Sequence, residues 1–309
     1  MFSFLTEPNY PKAAIGIEKE SVTALSLRRE GRGQFGVQQA ATIELPEHLL
    51  APSFIERNIA SPEEFRIVLE DAVVSAGLAN QRNWSVSLPG NSARTAILTL
   101  EKGGANSAET QDILDWKAEQ SFGAPSGELR ITTYKISDDA EGRTRYFATA
   151  VKLAVMDEYE TIFESMGWTA GLILPRAVSE SNWLREDGRM DSLLLSSQND
   201  GFTALLLRDG EPAVVRSVTC TENEIGDEIY RLLMFYNDRF AGSTSGLLER
   251  ILVIGKGFVP NRIREISTEA LGRALHIMRP DDVGLNLPAS DLRFDDIAAP
   301  AGLAALGYR

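Results

Sequence analysis

The sequence is short of the residues that build disulfides and metal sites. Its 309 residues include one cysteine, Cys220, and two histidines, His48 and His276, which lie far apart in the chain. A single cysteine excludes an internal disulfide and is typical of proteins from a reducing cytoplasm. These three residues also provide no cluster of metal ligands and little scope for a Ser-His or Cys-His nucleophile.

Long apolar runs and an excess of basic charge are also missing. The sequence has no run of 18 apolar residues, and its first segment, MFSFLTEPNYPK, lacks the basic and apolar regions of a secretory signal. The 44 acidic residues outnumber the 31 basic ones and give a formal net charge of −13. Such a surface disfavours nucleic acid and direct docking on anionic lipid. We therefore expect a cytoplasmic protein that does not insert into a membrane and does not bind nucleic acid.

A ten-residue stretch occurs twice and organises the rest of the chain. Residues 21–30, SVTALSLRRE, return as residues 201–210, GFTALLLRDG, with five identical positions at an offset of 180 residues. Each copy follows an apolar strand and a polar turn, and each is followed by a third strand and a helix. This offset is far too long for a solenoid repeat. The pattern predicts two domains of one ancestry, each opening with a three-stranded meander.

Capping signals and periodicity predict the elements that follow the meanders. Ser61 with Pro62 and Glu64 predicts the start of a helix, and Asp157 with Glu160 predicts the start of another. A further helix is predicted over residues 221–240, and residues 281–293 are predicted to form a loop. The segment between the first meander and the second is predicted to contain a strand over 94–100, a loop over 101–107, a helix over 108–122, and strands over 129–135 and 146–154.

The predicted elements divide the chain into five segments. Residues 1–90 are assigned to a first lobe, residues 91–167 to an inserted α+β subdomain, and residues 168–190 to a return to the first lobe. A second lobe is predicted over residues 191–294. A C-terminal helix over residues 295–309 is predicted to pack back on the core.

The helix of the insertion carries the most specific motif in the chain. Residues 115–120, DWKAEQ, resemble the W-E-A-E-Q helix of the PilM-like family, with Lys117 in place of the first Glu. The surroundings of this helix also agree with the family. The Ser-Leu-Pro-Gly strand end at 87–90 precedes it, and a helix that ends in ESMGW at 164–168 follows it. Together with the duplicated meanders, these motifs resemble the PilM-like branch of the actin/Hsp70/sugar-kinase superfamily. The position of the insertion also matches the extra subdomain of FtsA.

The resemblance implies both a fold and a set of partners. The fold is a two-lobed α/β actin-like architecture, a duplicated ribonuclease H-like unit with an inserted FtsA/PilM-type subdomain and a nucleotide cleft between the lobes. The function implied is a scaffold on the cytoplasmic side of a type IV pilus or type II secretion inner-membrane platform. Its implied partners are the cytoplasmic tail of a PilN-like bitopic membrane protein, the pilus motor or platform proteins, and further copies of the chain in a ring. The tail is expected to dock near Pro89 and near the helix that carries Trp116, Gln120 and Phe122.

The resemblance also locates the nucleotide site, and the sequence departs from the superfamily there. In the superfamily, the first turn of each lobe has Asp followed by Gly. In this sequence that turn has Glu18 and a second acid, Glu20, in the first lobe, and Ser196 and Gln198 in the second lobe. Two acids repel a polyphosphate unless a cation intervenes, and a lost glycine blocks the approach of backbone N–H groups. The candidate cofactor-binding residues carried over from the family are Gly16, Glu18, Ser196, Gly255 and Gly257.

We therefore expect a degenerate actin-like ATPase that has no catalytic residue and no cofactor, with ATP and Mg²⁺ binding as the alternative. Structural interpretations also stay open: Gly255 and Gly257 can simply close a strand-to-helix turn, Trp116 can be a core residue, and Glu18 can belong to a solvated turn. The rival function is an active ATPase or small-molecule kinase, although no motif supplies the general base that a kinase needs. A filament-forming actin-like protein is the third interpretation.

Overall fold

The computed structural model describes residues 9–101, 107–184, 190–240, 247–288 and 292–308. In these ranges the chain forms two larger sheets, each with helices on its faces, and a smaller three-stranded sheet. No helix within them combines the length and the apolarity needed to span a membrane. Each larger sheet contains one copy of the predicted meander, so the duplication seen in the sequence is confirmed as a duplication of structure.

The first sheet contains the first meander in the strand order β14-β3-β2-β1-β4-β8. β1 pairs antiparallel with β2 and parallel with β4, and β4 pairs parallel with β8. β1 is buried along its whole length, as expected for an interior strand. The strands are β1 (Ala13–Ile17), β2 (Ser21–Gly31), β3 (Gln34–Glu44), β4 (Asn83–Leu88), β8 (Thr169–Pro175) and β14 (Leu285–Asn286).

Two helices, α1 (Pro62–Ser75) and α3 (Leu153–Ser165), contribute side chains to one core cluster with this sheet. The side chain of Ser61 caps α1 by accepting from the backbone N–H of Glu64, as predicted. The prediction that Asp157 opens a helix is wrong, because the preceding strand passes directly into α3 at Lys152 without a side-chain cap. Although the sequence assigned α3 to the insertion, its buried residues pack in the core of the first sheet.

The insertion is a three-stranded antiparallel sheet in the order β5-β7-β6, with one helix packed on it. Its elements are β5 (Arg94–Leu100), α2 (Ser107–Phe122), β6 (Leu129–Ile136) and β7 (Thr144–Lys152). Leu114, Ala118 and Phe122 of α2 are buried with apolar side chains from all three strands. The predicted α+β composition is thus confirmed, while residues 102–106 of the predicted loop lie outside the described residues.

The second sheet repeats the pairing of the first in the order β11-β10-β9-β12-β13. β9 pairs antiparallel with β10 and parallel with β12, as β1 does with β2 and β4. The helix after the meander begins at Ile225 rather than at Thr221, because Thr221 bonds to the carboxylate of Glu224 in a turn that precedes it. The elements are β9 (Asp191–Gln198), β10 (Gly201–Arg208), β11 (Glu211–Thr219), α5 (Ile225–Phe240), β12 (Leu248–Ile254), α6 (Pro260–Leu271) and β13 (His276–Ile277).

Two helices, α4 (Arg176–Ser181) and the alanine-rich α7 (Phe294–Leu306), lie between the sheets. A single apolar cluster joins Ala14 and Leu25 of the first sheet to Leu194 and Leu205 of the second, with α7 packed among them. The predicted C-terminal helix therefore packs on both sheets. The predicted loop over 281–293 is wrong in part, since it contains β14 and most of a short 3₁₀ turn over Pro280–Val283. The five segment boundaries drawn from the sequence remain predictions.

Candidate functional site

A cavity of about 750 Å³ lies between the two sheets. Five backbone segments surround it: the β1–β2 turn, the segment after β4, the β9–β10 turn, the segment between β11 and α5, and the turn between β12 and α6. The N-terminal turn of α7 completes its wall. This interlobe cavity is where the family resemblance places a nucleotide.

Three of the five predicted cofactor-binding residues line this cavity, and two do not. Glu18, Gly255 and Gly257 line it. Gly16 and Ser196 are not among the lining residues. Gly16 packs against the ring of Pro300, and Ser196 is buried beside the carboxylate of Glu180.

Gly255 has a structural reason to be glycine. Its φ is +103°, and a Cβ placed on it would lie 1.8 Å from Oγ of Ser197. The backbone at Gly255 therefore packs closely against the side chain of Ser197, at the end of β9. This favours the structural interpretation of Gly255 that the sequence left open.

A cluster of buried charges lies at the interlobe cavity, around Arg176. The Nη1 of Arg176 donates to Oε2 of Glu18 at 2.8 Å, and its Nε donates to Oε1 of Glu180 at 2.7 Å. Burial raises the pKa of Glu18 to about 7, although the guanidinium of Arg176 opposes this shift. Burial raises the pKa of Glu180 as well. Two carboxylates thus share one guanidinium, and Glu18 takes up a proton near neutral pH.

Side chains also bridge the cavity from one lobe to the other. Lys256, between β12 and α6, forms an ion pair with Glu20 of the β1–β2 turn, which lowers the pKa of Glu20. Asn91, after β4, donates from Nδ2 to Oδ1 of Asp200 in the β9–β10 turn at 2.7 Å.

Acidic residues predominate in the cavity lining. This composition disfavours a triphosphate, because like charges repel in a partly desolvated site. No group of three or more His, Cys, Asp or Glu residues in the described ranges is arranged to hold a metal ion. The lining contains seven acids and four bases: Glu18, Glu20, Asp200, Glu222, Glu224, Asp295 and Asp296 against Lys19, Arg176, Lys256 and Arg293.

A second candidate site is a groove of about 190 Å³ between β8 and the insertion. Among the strands that the structure describes, β8 pairs with β4 alone, so its outer edge is not covered by another strand. Residues 170–175 of β8 all line the groove. Side chains on both faces of a strand can line a groove in succession only where the groove runs along the strand edge. The other walls come from β4, β6, β7 and α3: Leu88, Arg130, Thr132, Thr149, Val151, Met156 and Glu160.

An ion pair connects two walls of this groove. Arg130 of β6 donates from Nη1 and Nη2 to the two carboxylate oxygens of Glu160 in α3, the second contact at 3.0 Å. This fork-to-fork ion pair joins the insertion to the first lobe. Sequence reasoning missed the groove because the unpaired edge of β8 depends on the strand order, which no local pattern reports.

The four predicted partner-binding residues lie in three different places. Pro89 lines the interlobe cavity. Trp116 is 58% exposed on the outer side of α2, together with Gln120, so the interpretation of Trp116 as a core residue is wrong. Phe122 is 1% exposed and belongs to the core of the insertion. Glu119 holds the turn after α2 by accepting from the backbone N–H and hydroxyl of Ser126.

Comparison of the chain with protein-family models and with curated proteins gave no match. Solved structures do match. A chain of the "PilM-PilN type IV pilus biogenesis complex" matches with a TM-score of 0.76 and 15% identity, over 98% of this chain and 100% of that chain. The cytoplasmic domain of EpsL, an inner membrane component of the type II secretion system of Vibrio cholerae, gives a TM-score of 0.47 at 10% identity, over 96% and 93% of the two chains.

A Bacteroides thetaiotaomicron protein described as having an actin-like ATPase fold gives a TM-score of 0.48 at 10% identity, over 96% and 98% of the two chains. Of these three matches, the first alone has a TM-score above 0.5, and it extends over both lobes and the insertion. It confirms the two-lobed fold with an insertion that the sequence predicted. This chain shares the fold of the PilM-PilN structure, and the resemblance to PilM-like proteins is confirmed at the level of the fold.

Proposed function

We propose that the chain is a cytoplasmic scaffold of a type IV pilus or type II secretion platform and that it binds the tail of a PilN-like membrane protein. The match to a complex of PilM with PilN supports the class of partner. The groove beside β8 supports the place of binding. The groove in which we place the tail has two walls. The insertion provides one of them, and β8 and α3 provide the other.

The unpaired edge of β8 is the observation that carries this proposal. An extended peptide can add to such an edge, where backbone hydrogen bonds give affinity and pockets for alternate side chains give specificity. The groove offers apolar contacts from Val151 and Met156 and polar contacts from Arg130 and Thr132. Because residues 170–175 line it, we assign about six residues of the tail to this contact, one for each position of the strand.

The scaffold acts without nucleotide turnover in this proposal. The interlobe cavity has two lobe-to-lobe bridges of its own and an acidic lining. A role in assembly requires a stable docking surface and no chemical step. The homo-oligomeric ring and the contacts with pilus motor or platform proteins belong to the same proposal.

Two neighbouring threonines of β6 provide a sharp test. Thr132 lines the groove, whereas Thr133 points to the opposite face, which β6 shares with α2 through Leu129 and Ile131. Both threonines are exposed, so an arginine at either position is accommodated without disturbing the core. A peptide with the tail sequence of the PilN-like protein encoded nearest to this gene is titrated into each variant by calorimetry.

We expect Thr132→Arg to weaken binding of the peptide at least tenfold and Thr133→Arg to leave it unchanged. Equal affinities in the two variants would move the site away from β8. Absence of binding to the wild-type chain would contradict the assignment of the partner itself.

A further inference from the structure

Arg176 lies at the junction of the two lobes. This residue follows β8, the last strand of the first lobe, and opens α4, which leads to β9 of the second lobe. Its side chain is 10% exposed. A guanidinium cannot lose its charge at physiological pH, so its burial here requires permanent partners.

The contacts of Arg176 lead to both lobes. Glu18, in the β1–β2 turn, belongs to the first lobe, and Glu180, one turn further along α4, lies beside Ser196 in β9 of the second lobe. The Nη2 of Arg176 also lies 3.5 Å from the backbone oxygen of Asp295 in α7. The carboxylate of Asp295 accepts from the backbone N–H of Gly255, after β12 of the second lobe, at 2.9 Å.

These contacts form one continuous connection across the cavity. It runs from Glu18 through Arg176 to Asp295 and ends at Gly255. The guanidinium thus supplies a fixed positive charge between turns of two lobes. In a nucleotide-dependent relative, the turns would be drawn together by a ligand and its metal ion, which are lost when the ligand leaves.

We propose that Arg176 is an internal cation that holds the two lobes in their closed arrangement without any bound nucleotide. Two observations besides the contacts of Arg176 favour this role. The Lys256–Glu20 and Asn91–Asp200 bridges close the rim of the same cavity from lobe to lobe. A Cβ on Gly90 would come within 2.8 Å of the amide of Gln198, so the two lobes already touch at the rim.

The test measures the distance between the lobes directly. Nitroxide labels are placed at Glu63→Cys on α1 and Asn261→Cys on α6, both exposed, in a Cys220→Ser background. Pulsed electron resonance then gives the distance distribution for the unsubstituted chain, for Arg176→Gln and for a control, Arg231→Gln. Arg231 is an exposed arginine whose ion pair with Glu228 stays within α5.

We expect Arg176→Gln to broaden the distribution and extend it to longer distances, and Arg231→Gln to reproduce the parent. Adding Mg-ATP to the parent should leave its distribution unchanged. A parent-like distribution in Arg176→Gln would overturn the proposal, and so would a distribution of the parent that Mg-ATP narrows or shifts.

A second variant covers the case in which Arg176→Gln does not fold. Glu18→Gln keeps the Arg176–Glu180 pair and removes only the charge on the side of the first lobe. At pH 8, where the wild-type carboxylate is ionised, we expect Glu18→Gln to broaden the distribution to a smaller extent. An unchanged distribution in this folded variant would equally overturn the proposal.

Discussion

Gly16 of β1 lies directly beneath the ring of Pro300 in α7. A Cβ placed on Gly16 would approach Cγ and Cδ of the proline to 2.8 Å, well inside the usual contact distance between carbon atoms. The glycine that the family resemblance associates with a phosphate group is therefore a packing residue. It allows the helix between the two sheets to lie close to the central strand of the first.

A substitution at Gly16 should destabilise the fold. Gly16→Ala forces either Pro300 or β1 to move, and overpacking of this kind costs about 1–3 kcal/mol of the free energy of unfolding. Urea denaturation followed by circular dichroism measures the effect. Gly127→Ala is the matched control, because no atom of the described residues lies within 4 Å of a Cβ at that position. Similar unfolding midpoints in the two variants would contradict the contact.

Two aromatic residues of α2 should behave in opposite ways. Phe122 is buried in the insertion, so Phe122→Ala is expected to lower the free energy of unfolding of the insertion by about 3–5 kcal/mol. Trp116 is mostly exposed, and Trp116→Ala is expected to change the free energy of unfolding of the insertion by no more than about 0.5 kcal/mol. The affinity of Trp116→Ala for the tail peptide then decides whether the outer side of α2 takes part in binding. Binding in the groove beside β8 predicts no change in this affinity.

Stability should fall with rising pH through the titration of Glu18. Its pKa is about 7 in the folded chain against an ordinary value of 4.5, so the folded state binds the proton more tightly. The resulting stabilisation is complete below the lower value and is lost as the pH rises through about 7. Glu18→Gln cannot titrate.

Between pH 5 and pH 8 we therefore expect the wild type to lose about 2–3 kcal/mol more of its free energy of unfolding than Glu18→Gln. Denaturant titrations at five pH values would measure the two slopes. Parallel pH profiles would show that Glu18 is ionised throughout this range.

Calorimetry with Mg-ATP should give no measurable binding at millimolar nucleotide, and phosphate release should stay at background. The physical reason is the acidic lining of the interlobe cavity, whose carboxylates repel a polyphosphate. A micromolar affinity, or turnover above background, would favour the active ATPase or kinase.

Arg145 should protect the edge of the second sheet. Its Nη2 donates to the backbone oxygen of Ala213 in β11 at 3.0 Å and lies 3.4 Å from that of Pro212, although burial lowers its pKa. Arg145→Gln should speed amide exchange along β11 about tenfold, since a hydrogen bond from a charged group contributes roughly 1.5–3 kcal/mol. Arg143→Gln is the control, because its closest ion pair joins it to Asp139 in a local turn. Equal exchange in both variants would contradict this role.

The elements with a repeated or capped pattern could be predicted from the sequence. β5 has the predicted bounds, and α1 begins where Ser61 and Pro62 indicate. Apolar alternation and capping act within a few residues, so they are visible without the fold. The duplication was visible because Thr23 and Thr203 stand in the same setting in both copies.

Features that depend on tertiary packing could not be predicted. The helix signal at Asp157 lies inside α3, because burial of Val155 and Met156 extends the helix back to the end of β7. An aromatic residue such as Trp116 favours the core on average, yet α2 turns its outer side to solvent here. Ser196 and Gly16 match the family's site by position, but their surroundings are set by Glu180 and Pro300.

The insertion is anchored at two points that belong to different lobes. Arg130 joins it to α3, while Arg145 and the backbone N–H of Ser137 join it to β11, the latter through Glu211 at 2.7 Å. A chain that is held in the groove and pulled toward a membrane would therefore load both anchors at once. Mechanical tension would therefore be shared between the two larger sheets. Neither lobe could be drawn away without also breaking the contacts that anchor the insertion to the other lobe.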